Sequence, residues 1–360
     1  MRNLNLYIEK GQMLVLPSHE NLQYSGRIDF EVPEAPILIY PSSYVTFRFT
    51  GTFCKVILEN KRIWWNNFLG FVIDGKQDKI ELPNEGQVCL TLVDGLEDKE
   101  HTLLLFKRMD NCHTVKLHGF VLEEGAEVLK TEERPNRRIE VYGDSVSAGE
   151  VSEAIDYVGK ADPEHQGEYS NSWYSYAWMA ARKLKAEIHN VAQGGIALLD
   201  HTGWFAAPDL LGMENVYDKL QYNPGAGEIK PWNFTQYIPH VIIVAIGQND
   251  SHPQDYMARD YNSVESKNWR NHYKSFIQKL RTIYPKAVII LTTTILRHDL
   301  AWDKSIEEVT QEMADDKVLH FIYSQNSVGT HGHIRIQEAD KMSDELASFI
   351  NSLGDEIWKD

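Results

Sequence analysis

The sequence predicts an α/β protein in two parts. A β-sandwich, jelly-roll-like, covers residues 1–128, a linker 129–138, and a three-layer α/β/α domain with a parallel five-stranded sheet 139–360. Three observations carry this. Between about residues 25 and 123, short stretches of alternating polar and apolar residues recur between turn residues, with no long helical pattern among them. Near residue 130 the chain reads Lys130-Thr131-Glu132-Glu133-Arg134-Pro135-Asn136-Arg137, charged, proline-containing and without an apolar face. Beyond it, nearly continuous apolar runs alternate with amphipathic segments of helix length, as expected of parallel strands covered on both faces.

In the first part, residues 44–50 and 88–93 alternate cleanly, and 101–108 and 114–122 are further strands. Residues 68–73 run into Asp74-Gly75, a hairpin signal. In the second part the expected strands are 139–142, 187–191, 241–246, 288–292 and 318–323. The helices expected between them are 173–184, 271–284 and 305–314, with Tyr174, Tyr176 and Trp178 on the core side of the first. A last helix, 337–353, places Ala339, Met342, Leu346, Phe349, Ile350 and Leu353 on one stripe.

A length of 360 residues accommodates two domains, and 42% hydrophobic residues are ample for two cores. No apolar run is long enough to span a membrane. The N-terminus, Met1-Arg2-Asn3-Leu4-Asn5-Leu6-Tyr7, does not read as a secretory signal, so Asn233-Phe234-Thr235 carries little weight as a glycosylation sequon. Three cysteines, Cys54, Cys89 and Cys112, without a CxxC pair fit a reducing cytoplasm. The net charge of −16 argues against nucleic acid or an anionic membrane as partner and favours a neutral or cationic substrate. The oligomeric state is left open, with a homo-oligomer among the options.

The chemistry is announced by Gly143-Asp144-Ser145, where an apolar strand stops in a small-residue turn ending at Gly149. Such a turn lifts a serine hydroxyl to the carboxyl edge of the sheet, where ligands of open α/β sheets bind. Serine ester hydrolysis also needs a base, oxyanion donors and a group that orients the base. The next strand leads into Gly194-Gly195, where a backbone N–H can approach a substrate with no side chain in the way. The third ends in Gly247-Gln248-Asn249-Asp250, offering an amide side chain as a second donor. Thr330-His331-Gly332-His333, just before the last helix, can return an imidazole to the same edge.

This order resembles the four blocks of the SGNH (GDSL-type) hydrolases. Tyr24-Ser25-Gly26-Arg27-Ile28-Asp29-Phe30, Val45-Thr46-Phe47-Arg48-Phe49-Thr50-Gly51-Thr52 and Phe71-Val72-Ile73-Asp74-Gly75 are similar to the N-terminal β-domain of carbohydrate esterase family 2. The two-domain likeness covers about residues 24–353. It implies removal of acetyl groups from xylan or mannan saccharides without a cofactor. Ser145 would be the nucleophile and His333 the base. The Gly195 N–H, the Asn249 side chain and the Ser145 N–H would be the oxyanion donors. Gly195 is preferred to Gly194 because the family's glycine lies five residues after an asparagine, here Asn190.

One departure stands out: the family pattern has Asp three residues before the histidine, and here that residue is Thr330. The resemblance then implies a Ser-His dyad whose imidazole donates from Nδ1 to a backbone carbonyl, with activity rising around pH about 6.5. Asp144 and Asp250 read as supporting residues that tie down their turns, and His252 as a surface residue. Trp204 and Trp232 are candidates for stacking on sugar rings, as are Trp64 and Trp65, each weighed against ordinary packing. His331 and His333 could share a metal, but no third ligand stands at recognisable spacing, so none is assigned. Two readings compete with a hemicellulose deacetylase. One is an SGNH hydrolase acting on lipid, thioester or sialic-acid acetyl esters. The other is a carbohydrate-binding protein with a decayed esterase domain, for which the missing Asp is the only support.

Overall fold

A computed structural model describes residues 4–359. The chain divides into two compact units, one reaching Arg134 and also taking in Gln166–Glu168, the other running from Pro135 to His165 and onward from Tyr169.

The first unit has two antiparallel sheets. One orders its strands Ile28–Asp29, Ile37–Leu38, His113–Glu123, Cys54–Arg62 and Glu85–Val93, with Gln12–Val15 also paired to His113–Glu123. The other runs Val128–Leu129, Tyr44–Gly51, Lys99–Lys107, Phe68–Ile73 and Lys76–Glu81, with Gln23–Ser25 on Tyr44–Gly51. Tyr44–Gly51 alternates between partly exposed and buried along its whole length, as its sequence predicts. Its inward Val45, Phe47 and Phe49 join Val56, Leu58, Leu103, Leu105, Leu117 and Phe120 in one core. The Asp74-Gly75 turn closes the hairpin with both residues at positive φ, 48° and 80°, a two-residue geometry that glycine tolerates at no steric cost.

Two of the longer strands escape the sequence pattern, as do several short ones. Cys54–Arg62 interrupts its apolar run with Lys55, Glu59 and Asn60, and the buried Asn60 amide is satisfied by Pro83 O at 2.7 Å and Asn67 Oδ1 at 3.1 Å. Lys76–Glu81 lies at a sheet edge, where little apolar side chain is demanded. Val128–Leu129 pairs with Phe49 and Arg48, so this sheet continues into the stretch expected to be linker. Gln166–Glu168 returns much later in the chain, with Gln166 O accepting from Asn66 N and Glu168 O from Lys79 Nζ, each at 2.8 Å.

The second unit is built on five parallel strands: β1 (Arg137–Gly143), β2 (Ala186–Ala192), β3 (Val241–Ala245), β4 (Val288–Thr292) and β5 (Val318–His320), in the order β2-β1-β3-β4-β5. β3 and β4 are buried at every residue, which is why they read as unbroken apolar runs. Five helices matter here: α1 (Ser145–Ala148), α2 (Tyr176–Lys183), α3 (Val264–Ile283), α4 (Leu300–Met313) and α5 (Ile336–Ser352). α3 and α4 begin earlier than their apolar periodicity indicates, because caps set their starts. Ser263 Oγ accepts from Ser266 N at 3.1 Å, and Asp299 Oδ1 from Ala301 N at 2.9 Å. Among the described residues no helix is long and apolar enough to cross a membrane.

Candidate active site

β1, β2 and β3 are neighbours in register, Gly143 lying beside Ala192 on one side and Ala245 on the other. The three segments that follow them therefore emerge at one edge of the sheet. Gly143 has no room for a side chain, since a Cβ would stand 2.1 Å from Ser147 Oγ. Asp144 then caps α1, accepting from Val146 N at 3.0 Å with one carboxylate oxygen and from Gln248 Nε2 at 3.0 Å with the other. Gln248 in turn accepts from Thr294 N at 3.2 Å and from its hydroxyl. Burial pushes the Asp144 carboxyl up, with these donors opposing. The carbonyl of Ser147 accepts from Ser175 Oγ at 2.7 Å and Asn190 Nδ2 at 2.8 Å. Ser145 is thus held by β2, β3 and α2 together, with 7% of its surface exposed.

The second loop turns at Gly195 with φ +72°. Here the close approach is to protein, since a Cβ would lie 2.8 Å from Trp204 Cβ. In the third loop, Asn249 spends one amide hydrogen on Ile196 O at 2.9 Å, which fixes the side chain and couples it to the Gly195 turn. Asp250 is fully buried and accepts from Leu198 N at 2.7 Å, Leu199 N at 3.1 Å and Thr202 Oγ1 at 3.2 Å. Burial pushes its carboxyl up to about 7 despite those bonds. Its role is to anchor the segment after Gly195.

His333 completes the arrangement. Its Nε2 lies 2.7 Å from Ser145 Oγ and its Nδ1 2.6 Å from Asp162 Oδ2. Asp162 Oδ1 accepts from His333 N at 2.9 Å and Arg335 Nη2 at 2.8 Å. A carboxylate on Nδ1 holds the proton there and leaves Nε2 free to accept from the serine. Burial works against charging His333. Glu150, Asp162 and Asp144 outweigh it and hold the imidazole above the ordinary histidine value. Burial likewise raises Asp162, but His333 and Arg335 outweigh it and hold this carboxyl far below the usual range.

A candidate nucleophile, base and acid and two candidate oxyanion donors therefore share one sheet edge. Residues 24–131 match the family described as Carbohydrate esterase 2 N-terminal. The chain is a relative of the family 2 carbohydrate esterases. It is 26% identical over 352 residues to the cellulase/esterase CelE of Acetivibrio thermocellus, covering 94% of this chain and 40% of that protein. It is 30% identical over 256 residues to the acetylxylan esterase / glucomannan deacetylase of Cellvibrio japonicus, covering 69% of this chain and 63% of that protein. The chain thus spans less than two thirds of either curated relative. It shares its fold, at a TM-score of 0.78 and 24% identity, with a family two carbohydrate esterase from Clostridium thermocellum in complex with cellohexaose, covering 94% of this chain and 100% of that one.

Within this family frame, three expectations are corrected. The imidazole is oriented by a carboxylate and not by a backbone carbonyl. The carboxylate comes from Asp162, 171 residues from His333, in a loop without helix or strand. It removes the ground for reading the domain as a decayed esterase. Trp232 is 7% exposed and packs edge-on against His189, so its ring is a core element and offers no face to a sugar. His252 is not an idle surface residue, because its ring stacks under Trp204 at 3.4 Å. Trp204 itself is 59% exposed, and its backbone N–H donates to Gly195 O at 2.8 Å, which places an open aromatic face beside the candidate oxyanion donor. Both nitrogens of His333 are engaged, and among the described residues no three His, Cys, Asp or Glu side chains are grouped to hold a metal.

Proposed function

We propose that this chain is a serine esterase that removes O-acetyl groups from acetylated hemicellulose oligosaccharides, of xylan or mannan, through an acetyl-enzyme intermediate. The observation that carries the reading is the continuous chain Ser145 Oγ–His333 Nε2, His333 Nδ1–Asp162 Oδ2, at 2.7 and 2.6 Å. Ser145 Oγ attacks the acetyl carbonyl carbon while its proton passes to His333 Nε2. Asp162 offsets the imidazolium charge that forms. The Gly195 N–H, the Ser145 N–H and the free amide hydrogen of Asn249 receive the oxyanion, where such donors contribute most. The imidazolium then protonates the departing sugar oxygen and the C–O bond to acetyl breaks. Water, giving a proton to His333, attacks the acetyl-enzyme, and acetate leaves as Ser145 recovers its proton.

The substrate class is supported by the printed activity of the Cellvibrio japonicus relative and by the exposed ring of Trp204 beside Gly195. The acidic chain, at −16, suits a neutral saccharide better than an anionic one. A reducing, cytoplasmic compartment belongs to the same proposal, supported by three free cysteines. The test is acetate release from acetylated xylan and acetylated glucomannan oligosaccharides, run beside a p-nitrophenyl acyl series. Turnover of the acetylated sugars that Ser145→Ala abolishes is expected. A folded, inactive wild type, or a preference for long acyl chains, would overturn the reading.

A further inference from the structure

Arg335 is a guanidinium without solvent. Its side chain is 0% exposed, although it lies only two residues beyond His333. Its Nε donates to Ala154 O at 3.1 Å, one terminal nitrogen to His333 O, and the other to Asp162 Oδ1 at 2.8 Å. A buried, permanently charged group persists only where acceptors replace its hydration. Here the acceptors are the two backbone segments that flank the active site and the carboxylate that faces the base. The backbone N–H of Arg335 is itself fixed by Glu338 Oε2 at 2.8 Å, and Ile336 N donates to Ser152 O at 3.0 Å. The side chain thus starts from the rigid first turn of α5.

Asp162 has no comparable scaffold of its own. It sits in irregular chain between Gly159 and Pro163. The bonds that hold its carboxylate come from His333 N, His333 Nδ1 and Arg335. The approach is close enough that a Cβ on Gly332 would stand 2.6 Å from Asp162 Oδ1 and 2.7 Å from Lys160 O.

Resting on the esterase reading, we infer that Arg335 is a positioning residue for catalysis: it fastens the acid of the triad, supplied from a distant loop, in line with the base. An acid carried in the same short segment as its histidine is aligned by local backbone. An acid borrowed from 171 residues away has no such local alignment, and here the fixed cation Arg335 bonds it. The charged groups facing the pair are Glu150 and Asp144 toward His333, and Arg335 toward Asp162. Burial would favour a neutral Asp162, and Arg335 acts together with His333 against it.

The test is a double-mutant cycle on Arg335→Met and Asp162→Asn, measured as kcat and KM for p-nitrophenyl acetate across pH. Arg335→Met is expected to lower kcat by about 10²-fold, the cost of a misplaced catalytic group, with KM little changed. The acid limb should move to lower pH as His333 loses its aligned carboxylate. Adding Arg335→Met to Asp162→Asn should cost almost nothing further, since both changes remove one function. Full additivity would overturn the inference, as would an unshifted pH profile in Arg335→Met. Should Arg335→Met fail to fold, Arg335→Lys serves instead. Its single ammonium cannot span Ala154 O, His333 O and Asp162 together, so the same pH shift is expected in weaker form, and wild-type kcat and pH profile would refute the proposal. A proton NMR signal from His333 Nδ1–H, absent in Asp162→Asn, should be lost or broadened in either Arg335 variant. That signal needs no turnover. It tests the positioning role even if the wild type proves inactive on esters, which would refute the esterase and not this alignment.

Discussion

Asp162→Asn is the sharpest test of the active site, because the structure specifies how the substitution fails. Asp162 Oδ1 accepts from two donors, His333 N and Arg335 Nη2, while Oδ2 accepts from one, His333 Nδ1. Asparagine has a single oxygen, and two fixed donors claim it. Its amide N–H is then left facing Nδ1, which has to become an acceptor. The ring proton moves to Nε2, and Nε2 can no longer take the proton of Ser145 2.7 Å away. In serine proteases, forcing the wrong tautomer in this way costs about 10⁴ in kcat, or about 5 kcal/mol of transition-state stabilisation. A similar loss is expected here with KM nearly unchanged. The pH profile gives a second reading. The base works when neutral, so activity rises as pH climbs through the His333 pKa. That pKa is raised in the native protein, which puts the expected acid limb above the ordinary value of about 6.5. Losing Asp162 removes part of what raises it and leaves burial opposed by Glu150 and Asp144 alone, so the residual activity should titrate at lower pH. Initial rates on p-nitrophenyl acetate from acid to neutral pH measure both effects. A variant with wild-type kcat and an unmoved limb would mean that Asp162 is a loop anchor and that another group orients the imidazole.

The other outcomes follow from the same geometry. Asn249→Ala should lower kcat by about 10²–10³ with little change in KM, because an oxyanion donor acts in the transition state; a pure KM effect would make Asn249 a sugar ligand. His333→Ala should abolish turnover while His331→Ala keeps most of it, since His333 and not its neighbour bonds Ser145; the reverse pattern in the same assay would move the base to His331. Trp204→Ala should raise KM for acetylated oligosaccharides several-fold, consistent with roughly 1 kcal/mol for an exposed aromatic face, and leave p-nitrophenyl acetate unaffected. Equal losses on both substrates would place the Trp204 side chain among the supports of the Gly195 turn, against which it lies.

Much of this was legible because the residues concerned solve local problems. A strand that must end in a tight turn at Gly143, with no space for a Cβ, leaves a plain mark in sequence. So do the doubly covered strands β3 and β4, and the hairpin at Asp74-Gly75. Ser145, Gly195, Asn249 and His333 each follow or precede a regular element, so their order along the chain already maps to positions on one edge. Trp232 and Trp204 could not be told apart, because each is an aromatic within loop-rich chain. Only the fold decides that one ring is buried against His189 and the other stacks on His252 while staying exposed. The helix starts at Val264 and Leu300 were hidden for a related reason: a cap sets each start, and the first residue, though apolar, is exposed and lies off the buried stripe.

Asp162 is a different kind of omission. No periodicity, cap or turn signal gives it a role, and its partner lies 171 residues away. The sequence did carry an indirect mark. A histidine placed to serve as base, with Thr330 where a carboxylate belongs, leaves Nδ1 in want of an acceptor. The residue two beyond it, Arg335, is a cation destined for burial in a helix start that otherwise needs none. A buried arginine calls for a carboxylate, and a base without its acid calls for one too. A single aspartate answers both, and Gly332, just before the base, gives it room to come in. The missing acid could therefore have been demanded from the local sequence, although not located by it. What locates it is the second unit's own folding, which brings the 158–165 loop back across the last turn before α5.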